Sequence, residues 1–409
     1  MAKSLLSGVL LVLTLGCVHW HEWEDDDWHP ILNAAPAYET QAVAIADVAG
    51  NGVGAVLSAN IIRNVGLPHP GFITTRLPDA TGDGAFRDPI ESDTDADPIA
   101  IALADLTGGT GHPDLVVAHH QVFADPSVNA FISIQKPNAA LAGAFGPPTR
   151  LSLGHRNPRA IAIGDLNHDG LPDIAVAADG AESVLVFLQH ADGTFTPRDL
   201  AVGGVPTAVA IGDLNHDGYD DLAVATSGNS LCVRLQDTAT PGSFLATASY
   251  TVGSAPVCVK LACLSDAQYP DILTANQGTD SAPTTLGLSI LRHDPAQPGA
   301  FLAATTLDTG DYLSSSVAVG GSLAGTYLAV ANQGAPGWPG SISVFRPDAA
   351  HPGDFLAPDR YEGFYGPSAV AIGNVGGATA LLSADGGTFL RWEASGQPGV
   401  FGATIQLRQ

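Results

Sequence analysis

The chain has 409 residues, of which 45% are hydrophobic and 14% charged, with a formal net charge of −25. So apolar a composition excludes a disordered chain, and its Gly and Ala content argues against a helical one. The negative charge argues against a nucleic-acid partner, whose phosphates it would repel, and suits a compartment rich in divalent cations, outside the cytoplasm.

In chain order, Lys3 precedes an apolar run from Leu5 to Leu15 that is too short to span a bilayer and reads as a signal peptide. The run ends in Gly16-Cys17, similar to a bacterial lipoprotein signal, so residues 1–17 are expected to be removed up to a lipidated Cys17. Ordinary signal cleavage and an uncleaved anchor are the alternatives. Residues 18–37 hold three His, three Trp and five carboxylates between His19 and Pro30; they read as an acidic tether, with transition-metal binding as the other reading.

Residues 38–409 repeat one frame seven times. An apolar lead-in recurs at Ala42–Asp47, Ile99–Asp105, Ala160–Asp165, Ala208–Asp213, Val257–Cys263, Ser316–Gly321 and Ala369–Asn374. A Phe after a Gly-containing turn tracks it at Phe86, Phe145, Phe195, Phe244, Phe301, Phe355 and Phe401. The period of about 50–60 residues is in the range of propeller blades. Four apolar runs per copy (Ala160–Gly164, Ile174–Ala178, Ser183–Gln189 and Phe195–Val202 in the third) predict four-stranded antiparallel meanders. The expected fold is an all-β, seven-bladed propeller.

Two copies carry the chemistry. Asp165-Leu166-Asn167-His168-Asp169-Gly170-Leu171-Pro172-Asp173 and Asp213-Leu214-Asn215-His216-Asp217-Gly218-Tyr219-Asp220-Asp221 place side-chain oxygens at positions 1, 3, 5 and 9, with Gly at 6. That spacing suits Ca²⁺, a hard cation that takes about 6–8 oxygens, with the carbonyls of Leu171 and Tyr219 completing the sets. An EF-hand would need helical flanks and a Glu at position 12; here the flanks are β-branched runs, so each loop is expected to be a calcium-braced β-hairpin. Position 4, His168 or His216, is expected to point away from the ion.

The segments Ala-Ile-Ala-Ile-Gly-Asp-Leu-Asn-His-Asp-Gly-x-x-Asp-[Ile/Leu]-Ala-Val-Ala of copies three and four resemble the FG-GAP/VCBS repeat family. That group contains the integrin alpha-chain propeller and several bacterial surface proteins. The other copies have drifted. Copy two keeps Asp105, Thr107 and Asp114, an incomplete third site; copy one keeps Asp47 and Asn51 but has Ala55 in the last place; copy five keeps Asp271, with Cys263 in the first. Copies six and seven have lost the acids.

First turns should all emerge on one face of the ring. The opposite face is expected to present the irregular loops, with Asn276, Asn332 and Trp338 as ligand contacts for a protein or glycan partner. Asn-Gln-Gly as a plain turn former is the alternative. Cys258 and Cys263 point to opposite faces of one strand and should not pair; a Cys232–Cys258 bond is conceivable, with buried free thiols as the default.

No nucleophile elbow, zinc-protease motif or phosphate loop is present, so no enzyme is expected. His119-His120 near Asp125 is the nearest approach to a catalytic group, and a loop surface the plainer reading. The expectation is a calcium-stabilised, exported surface module for adhesion or scaffolding, tied to the membrane through lipid alone. A calcium-dependent lectin and a propeller lyase or hydrolase are the alternatives. Secretion and a periplasmic location remain open.

Overall fold

The computed structural model of the chain describes residues 38–62, 71–79, 85–106, 112–120, 130–264, 268–278, 287–321, 326–334, 339–351, 353–364, 366–375, 378–385, 388–394, 399–402 and 405–407. Cys17, the acidic tether, Thr107, Asp125 and Trp338 lie outside them. The described residues form seven four-stranded antiparallel sheets and no helix. In sequence, the blades run over 38–94, 98–154, 158–201, 206–251, 256–307, 314–364 and 369–407.

Blade three shows how sequence becomes blade. Its strands, Pro158–Gly164, Asp173–Ala178, Ser183–Gln189 and Phe195–Ala201, pair with their neighbours in order. The Phe marker has a defined place. Phe86, Phe145, Phe244, Phe301, Phe355 and Phe401 each bridge back to a residue just past the third strand, and Phe195 pairs with Gln189 at that strand's end.

The alternation in Ala160-Ile161-Ala162-Ile163-Gly164 builds the ring. With period 2, Ile161 and Ile163 share one face and Ala160, Ala162 and Gly164 the other. The isoleucines join the core that contains Ala100 and Ala102 of blade two, while Ala160 and Ala162 join the core holding Val209 and Leu222 of blade four. Each blade therefore sets its large side chains against the small side chains of the blade before it. Gly164 is dictated by this contact: a Cβ there would sit 2.3 Å from Cγ2 of Ile211. Gly212, Gly320 and Gly373 stand in the same relation to Leu261, Ile372 and Ile45.

First strands pack against first strands around the whole ring, including Ala369–Val375 against Tyr38–Ala46. Every sheet consists of four consecutive strands, so no strand is exchanged to close the ring. Side-chain packing and a contact of Thr40 Oγ1 with Thr388 Oγ1 at 3.3 Å join blade seven to blade one.

Candidate functional site

The two acidic segments are the first turns of blades three and four, between first and second strands. They fold alike. Asp165 accepts the amides of Asp169 and Gly170 at 3.1 and 2.8 Å; Asp213 accepts those of Asp217 and Gly218 at the same distances. The amide oxygen of Asn167 accepts from Asp169 N, and Asp169 accepts from Leu171 N; Asn215 and Asp217 repeat this with Asp217 N and Tyr219 N. His168 and His216 hold left-handed backbone at φ 56° and 59°, two residues before Gly170 and Gly218, which do the same at 83° and 88°. Blade one makes the same turn with only Asp47 and Asn51: Asn51 N and Gly52 N donate to Asp47, and Val53 N to Asn51. The loop conformation is therefore set by side chain–amide bonds.

The last carboxylate is different in kind. Asp173 and Asp221 are fully buried. Asp173 accepts Leu166 N at 2.9 Å and, from the third strand, Gln189 N at 2.7 Å; Asp221 does the same with Leu214 N and Gln236 N. Burial pushes each carboxyl up to about 7 against the pull of those amides, and the neighbouring Asp165 and Asp169, or Asp213 and Asp217, push the same way.

Blade five isolates that position. Asp271 keeps the two bonds, from Leu264 N and His293 N, but the guanidinium of Arg292 also stands 3.5 Å from it and His293 Nδ1 3.6 Å. By register, Arg292 lies across from Asp271 as Leu188 does from Asp173 and Leu235 from Asp221. In blade two the same register, carried one residue past Leu115 and Gln135, sets the exposed Lys136 across from Asp114. So, where the last acid is present, the slot across from it holds a leucine in the two complete loops and a cation in blades two and five.

Among the described residues no group of three or more His, Cys, Asp or Glu is arranged as a metal cluster. The donor chemistry nevertheless fits calcium. Each complete loop offers three carboxylates, one of them the buried acid, and an amide, all hard oxygens, with a leucine in the slot across from that acid. Leu171 and Tyr219 sit at position 7 in both loops, where a carbonyl would be asked for.

The side chains at position 4 turn to the next blade. The His168 ring stacks on Tyr219 of blade four, 3.8 Å between centroids, and His216 meets Tyr269 of blade five edge-on at 5.8 Å. Both tyrosines occupy position 7 of their own turns.

On the opposite face, the expected placement of the ligand residues is corrected. Asn276 and Asn332 are fully buried. Each is the last residue of a second strand, and the turn begins one residue later, at Gln277 and Gln333. Asn276 bonds to Thr274, Ser289 and the Gly287 carbonyl; Asn332 bonds to Ser314, Ser341 and Ser343. They are brace residues of their blades. Trp338 lies outside the described residues.

His119 is corrected likewise. It is buried in the same slot, with Nε2 2.8 Å from Ser133 Oγ, Nδ1 3.0 Å from the Ala96 carbonyl and its ring on Phe131. Burial lowers its pKa to about 4. His120 is half-buried and shifted down by burial, then by Arg159.

What this face does present is a set of ion pairs at the links between blades. Arg150 holds Asp95, Arg360 holds Asp311 at 3.0 Å, and Arg156 holds Asp199. Arg150, Asp199 and Arg360 occupy the same register of their fourth strands, opposite Ser133, Leu185 and Ser343. Blade three thus makes the pair with its signs exchanged. Sequence reasoning missed these pairs because each joins residues about 50 apart. Tyr312, 47% exposed, adds an aromatic ring to the same rim. Cys232, Cys258 and Cys263 are not joined in disulfides, and the first two are buried.

Comparison with known proteins agrees with the frame. Residues 165–224, the two complete loops and the strands between them, match the family described as FG-GAP-like repeat. No curated protein matches the chain. A crystal structure of a protein from Lactobacillus plantarum is similar in fold at 14% identity and a TM-score of 0.50, over 78% of this chain and 84% of that one. The chain is thus a seven-bladed β-propeller whose third and fourth blades carry a match to the FG-GAP-like repeat.

Proposed function

We propose that the protein is a calcium-braced, exported binding module whose first turns in blades three and four hold one ion each. One observation carries the reading: the slot across from the buried acid is Leu188 or Leu235 where the loop acids are complete, and Arg292 or Lys136 where they are not. A buried carboxylate needs a counter-charge. In this reading blade five supplies its own, and blades three and four take theirs from solution. Calcium then has a structural role, and the two histidines of the loops, His168 and His216, lie against tyrosines of the next blade.

The partner is a protein or a glycan met on the face opposite the loops. Its contacts are the exposed link residues, Tyr312 and the ion pairs of Arg150, Arg156 and Arg360, because Asn276 and Asn332 are enclosed. The amino-terminal segment with Cys17 supports export and a lipid tether. The reading makes the protein a scaffold or adhesion module and assigns it no catalysis.

Melting the protein in calcium and in chelator tests the brace. An ion bound only by the folded state adds about 2.7 kcal/mol per site at a hundredfold excess over its dissociation constant. Asp165→Ala and Asp213→Ala should each remove part of that gain, and a melting temperature indifferent to chelator would end the reading. Pulldown from intact cells and a glycan array, each with and without calcium, separates the partner classes.

A further inference from the structure

The two loops are not separate on the ring. Asp165 N donates to Oδ2 of Asp220 at 2.8 Å, across the junction between blades three and four. Gln236 of blade four points Nε2 at the carbonyls of Asp165, 3.5 Å, and Asp220, 2.9 Å. Tyr219 lays its ring on His168. The approach is close enough that a Cβ on Gly164 would stand 2.7 Å from Asp220 Oδ2. Positions 1 and 4 of one loop are thus held by positions 7 and 8 of the other.

Asp220 lies outside the oxygen pattern of its own loop, and the corresponding residue of blade three is Pro172. Its carboxylate faces both Asp165 and Asp213. Tyr219 is used twice: its backbone belongs to the blade-four loop, at the place where that loop would offer a carbonyl, and its ring belongs to the surface on which the blade-three loop rests.

We propose that the two loops bind calcium as a coupled pair, in which ordering Asp213–Asp221 around an ion raises the affinity of Asp165–Asp173 for the second. This rests on the calcium reading above. Ordering Tyr219 and Asp220 for the first ion fixes the groups that hold Asp165 and His168, so the second ion meets a loop already ordered. Repulsion between the ions opposes this, and the Asp220 carboxylate between the two first-position acids offsets it. Reciprocity follows: an ion in blade three strengthens blade four by the same factor.

Calorimetric titration of the full chain with calcium chloride tests the coupling. The parent should bind two ions more steeply than independent sites allow, with a coupling of about fivefold or more. Tyr219→Leu with Asp220→Ala keeps every oxygen of both patterns and should still bind two ions, now independently. Asp213→Ala with Asp217→Ala, confirmed as folded by its circular dichroism in chelator, should bind one ion several-fold more weakly than the coupled site. Independent binding in the parent, or coupling that survives Tyr219→Leu/Asp220→Ala, overturns the proposal while leaving the calcium brace in place. No heat and no thermal shift with calcium in the parent would overturn the brace itself, and the coupling with it.

Discussion

In blades three and four the last carboxylate of the first turn, Asp173 or Asp221, lies across from a leucine; in blade five Asp271 lies across from Arg292. All three acids are fully buried, and all three accept one amide from their own turn and one from the end of the third strand or just past it. The backbone task is therefore constant, and only the neutralisation of the charge differs. A repeat protein preserves the slot and lets each copy fill it by its own chemistry.

The most damaging change removes what the blades share. Asp173→Ala leaves the amides of Leu166 and Gln189 unpaired in the interior, where losing a charged acceptor costs on the order of 3 kcal/mol. The loss should be present in chelator as well as in calcium, and Asp271→Ala should match it. Asp165→Ala should be silent in chelator by comparison, because its partners are exposed loop amides that water can satisfy. Denaturant titration under both conditions reads all three. If Asp173→Ala mattered in calcium alone, the acid would be a metal ligand with no bracing role.

The comparison can also be inverted. Leu188→Arg places a guanidinium across from Asp173, as Arg292 stands across from Asp271, at a half-buried position. Stability in chelator should rise and the calcium response of that loop should fall, by up to the roughly 2.7 kcal/mol that one saturated site supplies. Leu235→Arg should do the same in blade four. A variant that gains nothing in chelator would show that Asp173 does not lack a counter-charge.

Much of this was legible in the sequence. The lead-in alternation and the trailing Phe located all seven blades, because period 2 and blade spacing are local properties of the chain. The oxygen pattern of the two loops was legible for the same reason. Asn276 and Asn332 were misplaced by one residue of boundary: Asn-Gln-Gly spells a turn, yet the strand keeps the Asn and only Gln-Gly turns, with Gly278 and Gly334 at φ 79°. The staple of His168 on Tyr219 needs the offset between neighbouring blades, which no single copy contains. Its signal was present all the same, as His at position 4 in two copies and Tyr at position 7 in each following copy.

The end of the second strand repeats the lesson. Asn60, Asn276 and Asn332 fill in blades one, five and six the slot that His119 fills in blade two, each bonded to a Ser or Thr of the third strand. The histidine differs in its titration. Its folded pKa of about 4 lies below the ordinary 6.5, so the unfolded chain binds the extra proton first. Its contribution is complete above pH 6.5 and is lost as pH falls toward 4, reaching about 2 kcal/mol by pH 5. His119→Asn, the residue of the other three blades, should leave neutral stability nearly unchanged and shift acid unfolding to lower pH. An unchanged acid midpoint would place that sensitivity elsewhere.

The smallest effect belongs to the link ion pairs, where one register carries both signs. Arg150 and Arg360 on fourth strands hold Asp95 and Asp311 on the incoming links, while Asp199 on a fourth strand holds Arg156 on a link. If only complementarity matters, either sign serves either position. Arg156→Asp or Asp199→Arg alone sets like charges side by side and should cost up to about 1 kcal/mol, the usual range for exposed pairs. The double exchange should recover most of it, in the orientation blade two already uses, and added salt should shrink both effects. Leu185 lies across from Asp199 where Ser133 lies across from Arg150, so the recovered pair stands on an apolar neighbour that a long guanidinium stem can cover. A double exchange no better than the single changes would mean that the position reads the identity of the side chain as well as its charge.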